Sequence, residues 1–243
     1  MQIHKLAYPK LIYLKISTGS GAIDSILGGG VRAGMLTDIY GESGSGKSQL
    51  CFTLCANCAK NGDRAVFIDT AGTFRPERIV EISCSSDVLE KITFVRPLNT
   101  VDQINAVNKA LDISPRLLVI DTLTSLFSVE YFGPARHLAV MKHLHRLAHF
   151  AINSGCAVVV TNMIRTIPTT VIDHLSGNIA QTMIPSQQRE YLGSSVSIYS
   201  HIKMKLEIID AARSIFRASL LQPTGKPPAH FNITVKGTAD IEG

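Results

Sequence analysis

The chain has 243 residues, of which 45% are hydrophobic and 18% charged, a balance that fits a globular protein and excludes intrinsic disorder. That length suits one large α/β domain, and no apolar run reaches the roughly 18–20 residues of a membrane helix. The formal charge of +5, from 24 Lys and Arg against 19 Asp and Glu, permits a nucleic-acid partner but does not establish one.

Residues 1–16 form an N-terminal segment and 17–243 the expected core domain. The segment lacks a charged start followed by an apolar stretch and a cleavage site. The expected location is therefore cytoplasmic (nucleoid-associated), or nuclear in a eukaryote. Within Ser17–Gly34, Ile23, Ile26 and Leu27 predict one short amphipathic helix, stopped by Gly28-Gly29-Gly30. Met35–Tyr40 reads as a buried strand, followed by a glycine-rich loop and a helix over Ser48–Lys60 that Asn61-Gly62 ends. Arg64–Asp69 is a second apolar strand. A helix begins near Pro76, a favoured first-turn residue. Lys91–Pro97 is a third strand, and Val101–Leu111 is helical by period. Arg116–Asp121 is a fourth strand, nearly all apolar, as a strand buried on both faces should be.

Arg136–Asn153 is helical, with Val140, Leu144, Leu147, Ala148 and Ala151 on one face, and Cys156–Asn162 is a fifth strand. Asn162–Leu192 shows no clean period, which predicts a long functional or disordered loop. Three strands follow: Ile198–Ile208, Ser214–Leu221 and His230–Val235. The expected fold is α/β. A mostly parallel central sheet carries helices on both faces and added C-terminal antiparallel strands.

Gly41–Ser48, GESGSGKS, matches G-x-x-x-x-G-K-[ST] in full, between an apolar strand and a helix. Glycines let successive backbone N–H groups turn inward around phosphate oxygens, and the helix N-terminus adds its positive dipole end. Lys47 should reach the β- and γ-phosphates, and the Ser48 hydroxyl should sit on Mg²⁺. Asp121, at the carboxyl end of a buried strand, occupies the place of a carboxylate that holds the magnesium shell. The alternative for Asp121 is a cap on the following turn.

Two clusters invite a metal reading. Cys51, Cys55 and Cys58 have CxxxCxxC spacing, but they fall on the helix after the loop at i, i+4 and i+7, which is one core-facing side. An iron–sulfur cluster needs a loop that can wrap it, so core packing is expected. His137, His143, His145 and His149 share one helix without an accompanying carboxylate or Cys, which suggests a solvated face.

Thr18–Gly30, TGSGAIDSILGGG, together with the loop, resembles the start of the RecA, RadA and KaiC-like proteins. Ile68–Ile79, IDTAGTFRPERI, is similar to the RadA-type recombinases more than to KaiC. Val158–Asn162 resembles their sensor strand, and Gly193–Leu206 the strand leaving their second DNA-binding loop. The chain shows no helix-hairpin-helix domain and no Phe-x-x-Ala linker ahead of this core. It therefore resembles a core-only archaeal paralogue of that family, of the RadB kind.

The resemblance implies ATP and Mg²⁺ as ligands, held by Gly41, Glu42, Ser43, Gly44, Ser45, Gly46, Lys47, Ser48 and Gln49. It places Lys47 and Asp121 in catalysis and Ser48 and Asp121 on the metal. Arg78 matches an arginine that lies against adenine, a role cation–π stacking would explain; the alternative is a solvated helix residue. Two departures stand out. The family's catalytic glutamate is Ala71 here, and its sensor glutamine is Met163. A methyl group orients no water, so weak hydrolysis is expected. Glu42 and Glu77 are nearby carboxylates.

The resemblance also implies two loops facing single-stranded DNA. Val129–Arg136 offers Tyr131, Phe132 and Arg136, a set suited to base stacking and phosphate contact, or equally to a packed turn. Asn162–Leu192 offers Arg165 and Arg189. The expected function is an ATP-dependent DNA-binding protein of homologous recombination and repair. The alternatives are a non-hydrolysing ATP-binding mediator of a recombinase or repair nuclease, or a KaiC-like signalling ATPase. Oligomerisation is compatible with any of them, and no membrane partner is expected.

Overall fold

The computed structural model describes residues 14–167, 171–172, 179–180 and 187–241. Strand β1 (Lys15–Ile16) pairs antiparallel with β2 (Val31–Arg32), bracketing helix α1 (Gly21–Leu27). Ser20 caps α1 by accepting from the Ile23 amide, and Gly28 ends it at φ 74°, a left-handed turn open to glycine. There follow β3 (Leu36–Gly41), α2 (Lys47–Lys60), β4 (Ala65–Asp69), α3 (Pro76–Ser83), a 3-10 turn (Asp87–Lys91), β5 (Ile92–Val95), α4 (Thr100–Ile113) and β6 (Leu117–Asp121). Then come α5 (Ser125–Glu130), α6 (Gly133–Ser154), β7 (Ala157–Ile167), β8 (Val171–Ile172), β9 (Ile179–Ala180), β10 (Gln187–Glu190), α7 (Gly193–Tyr199), β11 (Ile202–Asp210), β12 (Ile215–Gln222), β13 (Ala229–Thr234) and β14 (Gly237–Asp240).

The main sheet runs β14-β13-β12-β11-β3-β7-β6-β4-β5. From β11 through β5 neighbouring strands are parallel, and β11 to β14 pair antiparallel. Strands β3, β4 and β6 are buried along their whole length, which explains their near-continuous apolar sequences. One apolar cluster packs α1 and α2 on one face of the sheet; the other packs α4, α6 and α7 on the opposite face. Cys51, Cys55 and Cys58 are fully buried in the first of these, as core residues. Burial pushes all three thiols up from their ordinary pKa.

Three expectations need correction. The stretch after Asn162 does not begin as a loop: β7 continues to Ile167, and β10 pairs back on it with Arg189 opposite Arg165, making a hairpin stem. Gly193–Tyr199 is a helix rather than strand, because Leu192, Val196 and Tyr199 recur at i, i+4 and i+7 and pack on one apolar cluster. Val129–Arg136 is not a loop. Pro134 sits in the first turn of α6, and only Tyr131 and Phe132 separate α5 from α6. Among the described residues no helix is long and apolar enough to cross a membrane.

Candidate functional site

The glycine-rich turn sits at the carboxyl end of β3, a central strand, where open α/β sheets bind ligands. A Cβ on Gly41 would lie 2.3 Å from the Leu206 carbonyl oxygen, so only glycine fits there. Gly46 starts α2 at φ 92°, a conformation L-residues rarely adopt. Glu42, Ser43 and Gly44 form the exposed rim, and Ser45 is buried beneath it. Among the described residues no backbone carbonyl takes the amides of Lys47, Ser48 or Gln49 in the first turn of α2. Lys47 Nζ donates to the carbonyls of Gly41 (2.9 Å) and Glu42 (2.6 Å), folding back over the turn. Burial lowers its pKa, opposed by the charge of Asp121.

Strand β7 lies between β3 and β6, so the side chains of all three strand ends converge. Asp121, buried at the end of β6, accepts from Ser48 Oγ at 2.6 Å and from Thr73 Oγ1 at 3.1 Å, both on Oδ2. Thr161 Oγ1 of β7 donates to Oδ1. The carboxylate therefore faces Ser48 in the glycine-rich turn rather than capping the turn that follows it. Thr73 and Thr161 were not singled out by the sequence; their only signal is position, next to Ala71 and on the sensor strand.

Asp69 ends β4 with its carboxylate wrapped by the amides of Ala71, Gly72, Thr73 and Phe74, at 2.7–3.1 Å. That winding leaves the Ala71 side chain exposed, with no group that accepts a proton. Glu77 is exposed on α3. Arg78 is tied down: Nε donates to Gln49 Oε1 at 2.8 Å, Nη1 to the Val235 carbonyl at 2.8 Å, and Nη2 to the Thr234 carbonyl. It bridges α3 to the first turn of α2 and to the end of β13.

These residues fit a magnesium-bound polyphosphate. The first-turn amides of α2 are open to anionic oxygens, and the Lys47 ammonium lies over the same turn, where incoming phosphate oxygens would replace the Gly41 and Glu42 carbonyls as its partners. Beside them a serine hydroxyl and a buried carboxylate stand 2.6 Å apart, an all-oxygen pair of the kind Mg²⁺ accepts.

The candidate nucleic-acid residues converge at the far end of β7. Phe132 is 74% exposed. Arg136, in the first turn of α6, lies over the rings of Phe132 (5.7 Å) and Tyr191 (5.8 Å). It donates to the Tyr131 carbonyl at 2.6 Å and to the Tyr191 hydroxyl. Arg165 covers the Tyr191 ring at 3.8 Å. The result is a ladder of alternating cations and aromatics: Arg165, Tyr191, Arg136, Phe132. Arg189 is exposed on β10 opposite Arg165. Tyr131 instead turns inward, packing on Phe127 at 6.0 Å. Tyr191 was missed because its place beside Arg136 depends on the hairpin closing.

The helical histidines divide. His143 is buried, with Gln103 Nε2 3.2 Å from its Nε2, which corrects the expectation of a solvated face. The Gln103 contact places it between α4 and α6, and its ring packs on Phe127 of α5. His137 contacts Ser195 Oγ at 2.9 Å, and the His145 and His149 rings lie 4.4 Å apart. Among the described residues no group of three His, Cys, Asp or Glu side chains is placed to hold a metal.

The strand order and the phosphate turn facing Asp121 across β7 define a P-loop protein with a RecA-like core. The family model for Rad51 matches residues 10–185, and the chain belongs to the RecA/RadA recombinase family. It is 36% identical to the maize protein "DNA repair protein RAD51 homolog A" over 96% of this chain and 72% of that protein. It is 30% identical to tomato "DNA repair protein RAD51 homolog" over 96% of this chain and 71% of the relative. With "DNA repair and recombination protein RadA" of Metallosphaera sedula it shares 38% identity over 63% of this chain and 54% of that one. The chain spans about half the length of some relatives, 51% of maize "DNA repair protein RAD51 homolog B" among them.

Proposed function

We propose that this chain binds ATP with Mg²⁺ and, in that state, single-stranded DNA, acting in homologous recombination and repair with slow ATP turnover. The relatives named for DNA repair and recombination support the process. The observation that carries the reading is one strand that touches both candidate sites. Thr161 of β7 bonds the Asp121 carboxylate, and four residues on Arg165 of β7 stacks on Tyr191 in the cation–aromatic ladder. A nucleotide site and a stacking surface therefore share a rigid element.

Gly41, Glu42, Ser43, Gly44, Ser45, Gly46 and Gln49 shape the phosphate cradle, while Lys47 carries its charge. Arg78, held against Gln49, borders the nucleotide. Ser48 and Asp121 hold the metal, which when bound neutralises charge on the phosphates. Bases stack on the exposed Phe132, the buried Tyr191 ring orders Arg136 and Arg165 around it, and Arg136, Arg165 and Arg189 meet phosphates or base faces. Fluorescence anisotropy with a labelled oligo-dT tests this. Wild type with Mg-ATP binds; Lys47→Ala loses the nucleotide effect, and Arg165→Ala weakens binding at least about fivefold, given roughly 1–3 kcal/mol per stacking group. Binding by wild type no tighter than by Arg165→Ala, with or without nucleotide, would remove DNA from the reading.

Ala71 favours a second reading, in which nucleotide acts mainly as a conformational ligand and the chain is a mediator for a recombinase or repair nuclease. A chain that binds ATP, does not turn it over and retains a recombinase only when Lys47 is intact would fit it.

A further inference from the structure

Beneath the ladder lies a buried ionic cluster that the phosphate chemistry does not use. Lys203 of β11 is 9% exposed at its side chain, and it sits between two carboxylates. Its ammonium pairs with Glu190 Oε2 at the end of β10 and lies 3.3 Å from Asp38 Oδ2 of β3. It also donates to Ser197 Oγ at 2.8 Å. Glu190 is gripped from the other side as well: Asn162 Nδ2 of β7 donates to Glu190 Oε1 at 2.8 Å and to the Tyr191 carbonyl at 2.7 Å. Asn162 is fixed in turn by Thr124 Oγ1, which donates to its Oδ1 at 2.8 Å.

Three members, Asp38, Asn162 and Thr124, belong to or adjoin elements of the nucleotide site. Asp38 stands three residues before Gly41, on the strand that delivers the phosphate turn. Asn162 follows Thr161, which bonds Asp121. Thr124 follows β6. Glu190 and Tyr191 belong to the hairpin that carries the stacking surface. Two buried carboxylates facing one ammonium would carry an excess negative charge if both were ionised, and among the described residues neither Asp38 oxygen receives an aligned hydrogen bond, the Lys203 ammonium at 3.3 Å included. Burial, then the charge of Glu190, pushes the Asp38 carboxyl well above the usual range, so it favours its neutral form. Lys203 can thus be shared unequally. It holds Glu190 firmly, with Asp38 as the alternative partner if the hairpin lifts. Energetic coupling between the sites requires that second arrangement.

We propose that Glu190 is a positioning residue, through which Lys203, Asn162 and Asp38 transmit nucleotide occupancy to the Tyr191–Arg165–Arg136 surface. The inference rests on the nucleotide and DNA reading above, but its test separates from it. Hydrogen exchange of the 187–191 amides, with and without saturating Mg-ATP, reports the coupling without any DNA. In wild type the nucleotide slows exchange there about fivefold or more, the lower end of ordinary allosteric coupling. Glu190→Gln loses that slowing, while the amides of 41–48 remain protected by nucleotide, which shows an intact fold and a filled site.

Removing Lys203 alone would strand buried carboxylates, so its companion variant is the double change Glu190→Gln with Lys203→Met. It too loses the slowing, whereas Lys203→Arg restores it at least in part. In the DNA arm, Glu190→Gln binds oligo-dT equally with and without Mg-ATP, at the nucleotide-free affinity of wild type. Nucleotide slowing of 187–191 that survives in Glu190→Gln overturns the proposal, as does its absence from wild type whose 41–48 amides are protected. Failure of wild type to bind oligo-dT overturns the DNA reading instead, and the exchange arm still decides the coupling.

Discussion

The Ala71 methyl group stands at the head of a turn wound tightly around the Asp69 carboxylate, beside a phosphate turn that is otherwise complete. Hydrolysis needs a group that orients water and takes up its proton; groups of this type contribute about 10²–10⁴-fold in rate. The Asp69 carboxylate cannot serve, since four amides already occupy it. Ala71→Glu, at an exposed position with room for a longer side chain, is expected to raise steady-state phosphate release by about tenfold or more. Nucleotide affinity should change little. No rise, with affinity unchanged, would place the limiting step outside water activation. The geometry of the candidate phosphate turn was legible in the sequence because Gly41–Ser48 is contiguous and its backbone conformation is set locally. Thr73, Thr161 and Tyr191 were not, because each reaches its partner only when β4, β6, β7 and β10 come together.

Among the elements, the α4–α6 contact shows what periodicity captures and what it omits. Period placed Val140, Leu144, Leu147 and Ala151 inward and gave α6 correctly, but a histidine carries no apolar signal, so His143 was read as solvated. In the fold Gln103 Nε2 donates to the Leu123 carbonyl at 3.1 Å and also faces His143 Nε2. Burial, then Arg146, lowers the His143 pKa to about 3. The unfolded chain, with a histidine near its ordinary 6.5, takes up this proton first as pH falls. The contribution is therefore fully present above about pH 6.5 and is lost by about 1.4 kcal/mol per pH unit as pH falls toward about 3. Urea unfolding at pH 7 and pH 5 should show wild type losing about 2 kcal/mol more than His143→Phe across that interval. Equal losses would mean that water reaches the ring. The same limit explains α7: its apolar positions are few, and only packing on α6 separates helix from strand there.

For the whole molecule, the mild net charge of +5 conceals an uneven distribution, because Arg136, Arg165 and Arg189 gather around one end of β7. Single strands release about 0.7 counterion per neutralised phosphate, so three contacts give a salt slope near −2. Affinity for oligo-dT should then fall about fifteenfold between 50 and 200 mM salt. Each arginine removed should flatten that slope by about 0.7, while Phe132→Ala should weaken binding at every salt and leave the slope unchanged. The contrast separates the two halves of the ladder, since stacking on an aromatic face releases no counterion. Arg165 is the informative case, because its guanidinium lies 3.8 Å from the centre of the Tyr191 ring. If Arg165→Ala weakens binding without flattening the slope, that cation orders the aromatic surface rather than meeting phosphate. The backbone contacts would then fall to Arg136 and Arg189.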